Sequence, residues 1–420
     1  MVIRDTLDNG LRLLTETIPH VRSVSFGVWL TRGSRQEGTE WPGIAHFVEH
    51  MLFKGSNTRS AEQIAQAVDS IGGQMDAATG KENANYSIKV LDEQVPVAVD
   101  ILADVVLHPR FADDDVHREK NVVQEEIKMV EDTPDDLVHE LFLQRFWAGH
   151  ALGKPILGTR DSIDALTPQA LRDYFAGTYT ARNLIIAAAG NLEHARLRAL
   201  VEKAFGSTPA GEVLAADGPP VDHHVAIVRH KDLEQSHICL GAGAYPQNHA
   251  ERYAGLVLNT VMGGSISSRL FQNVREKRGL AYSVGSGLSA FRDTGLLSIY
   301  AGCSNDKVAE VIDVVINELR QLVVEPISAE ELQRAKDNVK GGLLLGLEST
   351  WHRAAYLARQ EMYFDRMITI DETIAGIEAV TVEDVARVAR QLLTRTPLSA
   401  AVLGAVNGLT LTTEGLRVVS

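Results

Sequence analysis

Cysteine is almost missing from this 420-residue chain: only Cys239 and Cys303 occur. They are far apart and form no C-x-x-C pair, which excludes a disulfide framework and fits a reducing compartment. No apolar run approaches the ~20 residues needed to span a bilayer, so no membrane segment is expected. No basic stretch with an apolar core opens the chain, and no Arg-rich transit segment is present, so a leader is not expected. Basic side chains are in deficit, 41 Lys and Arg against 55 Asp and Glu, for a net charge of -14. With neither a basic excess nor a basic stripe, a nucleic-acid partner is excluded from the reading. An acidic surface is compatible with basic peptides as ligands. Aromatics are 6%, yet hydrophobic residues reach 45% and charged residues 23%, a globular balance. The expectation is a soluble, cytoplasmic protein.

What is present divides into two halves. The length suits two or three domains. A stretch rich in Pro, Gly and small residues runs from Gly206 to Pro220. It sets domains at 1–210 and 223–420, with 211–222 as linker. The first half opens with an Asn9-Gly10 turn between extended runs, a hairpin signal. A strand follows at 24–30, then a polar loop at 33–43. Helical patterns cover 61–71, 95–106, 113–130 and 132–146, with strands at 85–90 and 183–190. In the helix from Asp113, the apolar stripe is Val116, Val122, Val123, Ile127 and Val130. The second half repeats this outline. Ala165-Leu166-Thr167 and Gly190 recur as Ala379-Val380-Thr381 and Gly404, both at an offset of 214 positions. The simplest reading is two similar α+β domains.

Chemistry is concentrated in the first half, in His46-Phe47-Val48-Glu49-His50. Two histidines four apart share one helix face and can bind one metal ion, with nitrogen ligands that suit Zn²⁺. Glu49 leans over the same face, where a carboxylate could take a proton from water held by the metal. This is the H-x-x-E-H order of some metallopeptidases. A pair of ordinary helix-surface histidines is the plain alternative. A catalytic zinc usually takes three protein ligands, so a third must come from elsewhere. Glu126 is the candidate, on the same face as Glu119 of another helix. No H-x-x-E-H appears after position 222, and Gly342 lies roughly where Glu126 should recur.

At A-H-F-V-E-H-M-L-F-K-G and R-E-K-N-V-V-Q-E-E-I the sequence resembles the M16 family of zinc peptidases, in particular bacterial homologues of the mitochondrial processing peptidase β subunit. The resemblance covers nearly the whole chain. It implies His46, His50 and Glu126 as ligands of one Zn²⁺ per chain, Glu49 as general base, and Glu119 as a carboxylate that assists the site. Glu126 follows His50 by 76 positions, which is the family spacing. In S-S-R-L-F-Q-N-V-R-E-K-R-G-L-A-Y-S-V, the resemblance marks Arg275 and Tyr282 as donors to substrate carbonyl and oxyanion. Arg278 is a rival at the wrong spacing. Asp76-Ala77-Ala78-Thr79 matches the strand to which substrate adds, although the family more often has Asn at the first position. The implied fold is two homologous domains, each a mainly antiparallel sheet covered by helices, arranged as a clamshell. The implied activity is endopeptidase cleavage of unfolded or presequence-like peptides in a closed chamber, by a homodimer. The competing classes are a non-catalytic structural subunit of the same fold and a metal-binding regulator without turnover. An intact zinc motif weighs against the first and Glu49 against the second.

Overall fold

The computed structural model describes residues 2–213, 217–364, 366–406 and 408–419; positions 214–216 of the expected linker lie outside the described residues. Two compact units result. The first comprises Met1–Lys128, Lys154–Asp217 and Leu345–Met367, and the second comprises Met129–Gly153, Gly218–Leu344 and Ile368–Ser420.

The first unit holds strands β1 (Val2–Thr6), β2 (Arg12–Thr17), β3 (Ser23–Leu30), β4 (Gln74–Thr79), β5 (Ala84–Leu91) and β6 (Leu184–Gly190). They form one sheet in the order β1-β2-β6-β3-β5-β4. The Asn9-Gly10 turn closes the β1/β2 hairpin, with Gly10 at φ 89° as such a turn requires. All pairs are antiparallel except β2 with β6.

The second unit holds β7 (Ala226–His230), β8 (Gln235–Ala244), β9 (Ala281–Ala290), β10 (Gly295–Ser304) and β11 (Ser399–Gly404), in the order β7-β11-β8-β10-β9. Here β7 with β11 is the one parallel pair. Strand for strand, this is β2-β6-β3-β5-β4 again. The 214-position offset therefore reflects a repeated topology, and the α+β class with two mainly antiparallel sheets holds.

Five helices of the first half matter below: α1 (Ile44–Leu52), α2 (Ala61–Ser70), α3 (Val95–Leu107), α4 (Asp113–Asp132) and α5 (Pro134–Phe146). Val24, Phe26 and Val28 of β3 point into a core shared with Phe47, Val48, Leu102 and Val106 of α1 and α3. The opposite face of β3 is buried as well, under helix Thr350–Phe364. There Trp29 stacks on Trp351 with ring centroids 5.4 Å apart, and Ser25 bonds Thr350 at 2.9 Å. Gly27 must stay small, because a Cβ would stand 2.6 Å from the Trp29 ring.

These units cut across the halves 1–210 and 223–420 in two places. Helix α5 packs Val138, Phe142 and Phe146 on Cys239, Ala401 and Leu403 of the second sheet. Helix Thr350–Phe364 lies on the first. Each sheet thus has its second face covered by a helix from the other half of the sequence. The physical reason is burial: each sheet is apolar on both faces and needs two layers of cover.

Candidate metal centre

Helix α1 buries Ile44, Ala45, Phe47, Val48, Met51 and Leu52, which leaves His46, Glu49 and His50 together on its outer face. Helix α4 delivers the carboxylates. Val116, Glu119, Val123 and Ile127 form its buried stripe, while Val122 is turned out to solvent. The expected stripe was therefore wrong at Val122. Glu119 sits three residues after Val116 and four before Val123, inside the stripe, and is 3% exposed. Glu125 is exposed.

Three ligand-type atoms converge. The Nε2 atoms of His46 and His50 are 3.2 Å apart, and Glu126 Oε2 is 3.7 Å from the first and 3.5 Å from the second. A tetrahedral zinc with bonds of ~2.0–2.1 Å separates its ligand atoms by ~3.3–3.4 Å. The triangle has that size, so the residues fit one zinc ion. Among the described residues, His46, His50 and Glu126 are the one such cluster of metal-ligating side chains.

The tautomers agree with this fit. His50 Nδ1 is 2.8 Å from Glu119 Oε1. A carboxylate only accepts, so Nδ1 donates, and in the neutral ring Nε2 then keeps its lone pair for a metal. Lys54 Nζ lies 2.8 Å from the other Glu119 oxygen. Burial would raise the Glu119 pKa, but the bonds from His50 and Lys54 outweigh it and hold the carboxyl below its usual value. His46 Nδ1 is buried without a hydrogen-bond partner among the described residues, so a ligand on Nε2 is what would fix that ring's tautomer.

Burial, then the neighbouring His50 charge, push His46 down to about 4, so it is neutral at physiological pH. Burial would lower His50 too, but Glu119, Glu126 and Glu49 raise it overall. Glu49 is pushed up by burial, against a hydrogen bond from the Thr79 hydroxyl. A carboxyl with raised proton affinity next to a metal position can act as a base.

The surroundings are pinned. Asp104 accepts from Ser56 at 2.6 Å and from Thr58 and Arg59 at 2.7 Å, which fixes the turn that carries Lys54 out of α1. Thr79 ends β4, which among the described residues is an edge strand paired with β5 alone. Asp76-Ala77-Ala78-Thr79 lies in that strand.

Arg275 and Tyr282 belong to the second unit. Arg275 lies in a π-helical turn, Phe271–Glu276, and its guanidinium stands 4.8 Å from the ring centres of both Phe271 and Tyr282. Tyr282, at the start of β9, is 78% exposed. Arg278 is exposed too. Three contacts of the first unit escaped the sequence reading: Thr79, named there only as part of the substrate strand, on Glu49; Lys54 on Glu119; and Glu37, which accepts from Gly43 and Ala45 at the start of α1. The signal for Glu37 was available: the helix opens at Pro42-Gly43 without a Ser, Thr, Asp or Asn cap.

A helix-borne H-x-x-E-H pair met by a glutamate from a second helix, on a duplicated α+β scaffold, defines the class of zinc-type metallopeptidase centres. The comparisons with known proteins agree. The family model described as Insulinase (Peptidase family M16) matches residues 12–160, and that described as Peptidase M16 inactive domain matches residues 165–339. The uncharacterized zinc protease YmxG of Bacillus subtilis is 43% identical over 394 residues, 94% of this chain and 96% of its own. An uncharacterized zinc protease of Mycobacterium tuberculosis is 43% identical over 410 residues, 96% of this chain and 92% of its own. The chain belongs to the M16 family of zinc metallopeptidases. In fold, it is similar to the crystal structure of a peptidase M16 inactive domain from Pseudomonas fluorescens, with a TM-score of 0.91 at 22% identity over 98% of this chain and 99% of that one. A protease from Helicobacter pylori is similar with a TM-score of 0.88, also at 22% identity, over 96% and 99%. Among the described residues, no helix is long and apolar enough to cross a membrane.

Proposed function

We propose that this M16 peptidase is a zinc-dependent endopeptidase of unfolded peptides, presequence-like segments among them, with one Zn²⁺ per chain on His46, His50 and Glu126. One observation carries the reading: ligand atoms from two separate helices lie within 4.8 Å of one another, on the helix face that also presents Glu49. Bound there, Zn²⁺ supplies a Lewis acid that polarises a carbonyl and makes water more acidic. Glu49 takes the proton of the attacking water and delivers it to the leaving amine, and its raised proton affinity suits both halves of that exchange. Glu119 orients His50. The outer edge of β4, at Asp76-Ala77-Ala78-Thr79, takes up an extended substrate by strand addition. Arg275 and Tyr282 are assigned, on their motif, as donors to the developing oxyanion. The same family resemblance supports a homodimer with a closed chamber that admits unfolded chains. Two free, buried cysteines suit work in the cytoplasm.

A second reading, a non-catalytic structural subunit, draws on the match of residues 165–339 to a domain named inactive. Glu49 favours the first reading, because a scaffold needs no base beside a metal. The test is zinc content together with cleavage of a quenched basic peptide. Wild type and Glu49→Gln are both expected to carry stoichiometric zinc, with cleavage falling about 10²–10⁴-fold in the variant. Full zinc with equal background rates in both proteins would remove the enzyme reading.

A further inference from the structure

We infer that Glu37 is a positioning residue for the metal-binding helix: its carboxylate, brought from the preceding loop, closes the end of α1 beside His46. The inference rests on the reading of His46, His50 and Glu126 as zinc ligands.

The geometry leaves the helix no cap of its own. The N-cap residue is Gly43, at φ 91°. A Cβ there would stand 2.6 Å from the Leu157 carbonyl oxygen and 3.0 Å from Gly158. The Ser, Thr, Asp or Asn that usually accepts from the first turn is therefore excluded. Glu37 does that work from six residues upstream. One of its oxygens accepts the Gly43 N–H at 2.9 Å and the other accepts the Ala45 N–H at 2.8 Å. Ala45 adjoins His46, and Glu49 and His50 lie one turn further on. α1 is only nine residues long, so a frayed first turn would displace a ligand directly.

The loop that carries Glu37 is itself held. Lys154 Nζ reaches the Gly38 carbonyl at 3.4 Å, and the Lys81 ammonium bonds the Lys154 carbonyl. Both lysine charges favour the ionised Glu37. Even so, burial pushes this carboxyl up to about 7. The fold therefore holds a carboxylate where its charge is costly, and the amides of the N-cap residue Gly43 and of Ala45 in the first turn of α1 are its direct bonding partners. A residue kept against its own solvation is better explained by what it fixes than by net stability.

The test uses the full chain with Glu37→Gln and Glu37→Ala. Three quantities are measured: zinc affinity by competition with a chelator, amide hydrogen exchange along α1 in zinc-free protein, and thermal melting. Gln keeps one of the two acceptors and Ala keeps neither. Exchange in the first turn of α1 is expected to quicken in the order wild type, Gln, Ala. Zinc affinity is expected to fall in the same order, by roughly 2- to 30-fold for Ala, as the usual cost of a lost cap implies. If the Ala variant does not fold, the Gln variant carries the measurement. Unchanged zinc affinity and unchanged α1 exchange in a variant would overturn the role of Glu37. So would a lowered melting temperature with no selective change in α1. Absence of zinc binding by the wild-type chain is a different failure, because it removes the metal reading itself.

Discussion

On the proposed zinc centre, replacing Glu119 separates the orientation of His50 from its ligation. Glu119 is 3% exposed and accepts two charge-assisted bonds, from His50 Nδ1 and from Lys54 Nζ, each 2.8 Å long. Removing such an outer partner of a ligand histidine typically costs 10- to 100-fold in metal affinity, or about 1.4–2.7 kcal/mol. Two variants should divide that range. In Glu119→Gln, one carbonyl oxygen remains, and the Lys54 side chain, 37% exposed, can turn to water. The amide then still accepts from His50, and only the negative charge is lost, so zinc should bind about 10-fold more weakly. In Glu119→Leu, the His50 N–H is left unpaired at a half-buried site, which adds part of the ~1–3 kcal/mol cost of an unsatisfied donor. The loss should approach 100-fold. The assay is chelator competition, with melting curves as control. The deficit should also depend on pH. Glu119 helps raise the His50 pKa, and a higher pKa means stronger proton competition with the metal. Wild type is therefore the more handicapped protein as pH falls, and the gap to Glu119→Gln should narrow toward pH 6. Wild-type affinity in both variants, or a Leu variant no weaker than Gln, would refute the reasoning.

Thr79→Val removes the hydroxyl that bonds Glu49 and lowers its pKa. The acidic limb of kcat/KM against pH should move to higher pH with zinc content unchanged. Gly43→Ala places a Cβ 2.6 Å from the Leu157 carbonyl at a φ of 91°; a stability loss of about 1–3 kcal/mol in urea unfolding, with reduced zinc occupancy, is expected. Glu37 binds its proton more tightly in the fold, at about 7, than at its ordinary value of 4.5. Its contribution to the stability of the zinc-free protein is thus fully present below about 4.5 and lost as pH rises through about 7. Glu37→Gln should remove on the order of 1–3 kcal/mol of that slope between pH 5 and 8, read as urea midpoints.

Much of this was legible in the residues, for definable reasons. Helix spacing alone puts His46, Glu49 and His50 on one face, and seven residues put Glu119 and Glu126 on another, because the helical period is fixed. The repeat was visible because Thr167 and Thr381 both cap helices that lead into buried strands. The exchange of α5 and Thr350–Phe364 was not visible. An apolar stripe says that a face is covered but not which sheet covers it, and Phe142 would satisfy the pattern on either. Val122 failed for a related reason. A stripe drawn through valines ignores a glutamate, yet Glu119 is buried because His50 and Lys54 satisfy it. Glu37 and Thr79 act through partners distant in sequence, which no local period encodes.

The second unit supplies an internal comparison for what the site requires. Its helix Arg252–Met262 is the first helix after β8, the place that α1 occupies after β3. It carries no histidine, and its buried residues include Gly255, Val257, Leu258 and Val261. Its N-cap residue, Glu251, bonds no amide of the helix through its side chain; Arg387 takes both carboxylate oxygens, at 2.8 and 2.9 Å. The same scaffold thus exists once with a candidate ligand cluster and a carboxylate clamp on the helix start, and once, among the described residues, with neither. The strand order does not distinguish the copies, so topology is not what makes the metal site. The differences lie in outward-facing side chains of that helix, in the fastening of its first turn, and in Glu126 of α4, roughly at whose place the second half has Gly342. If that division is right, placing two histidines and a glutamate on Arg252–Met262, with a glutamate on helix Ala329–Gly346 at the place of Glu126, should give a site that binds zinc more weakly in chelator competition than the same graft with its first turn also fastened.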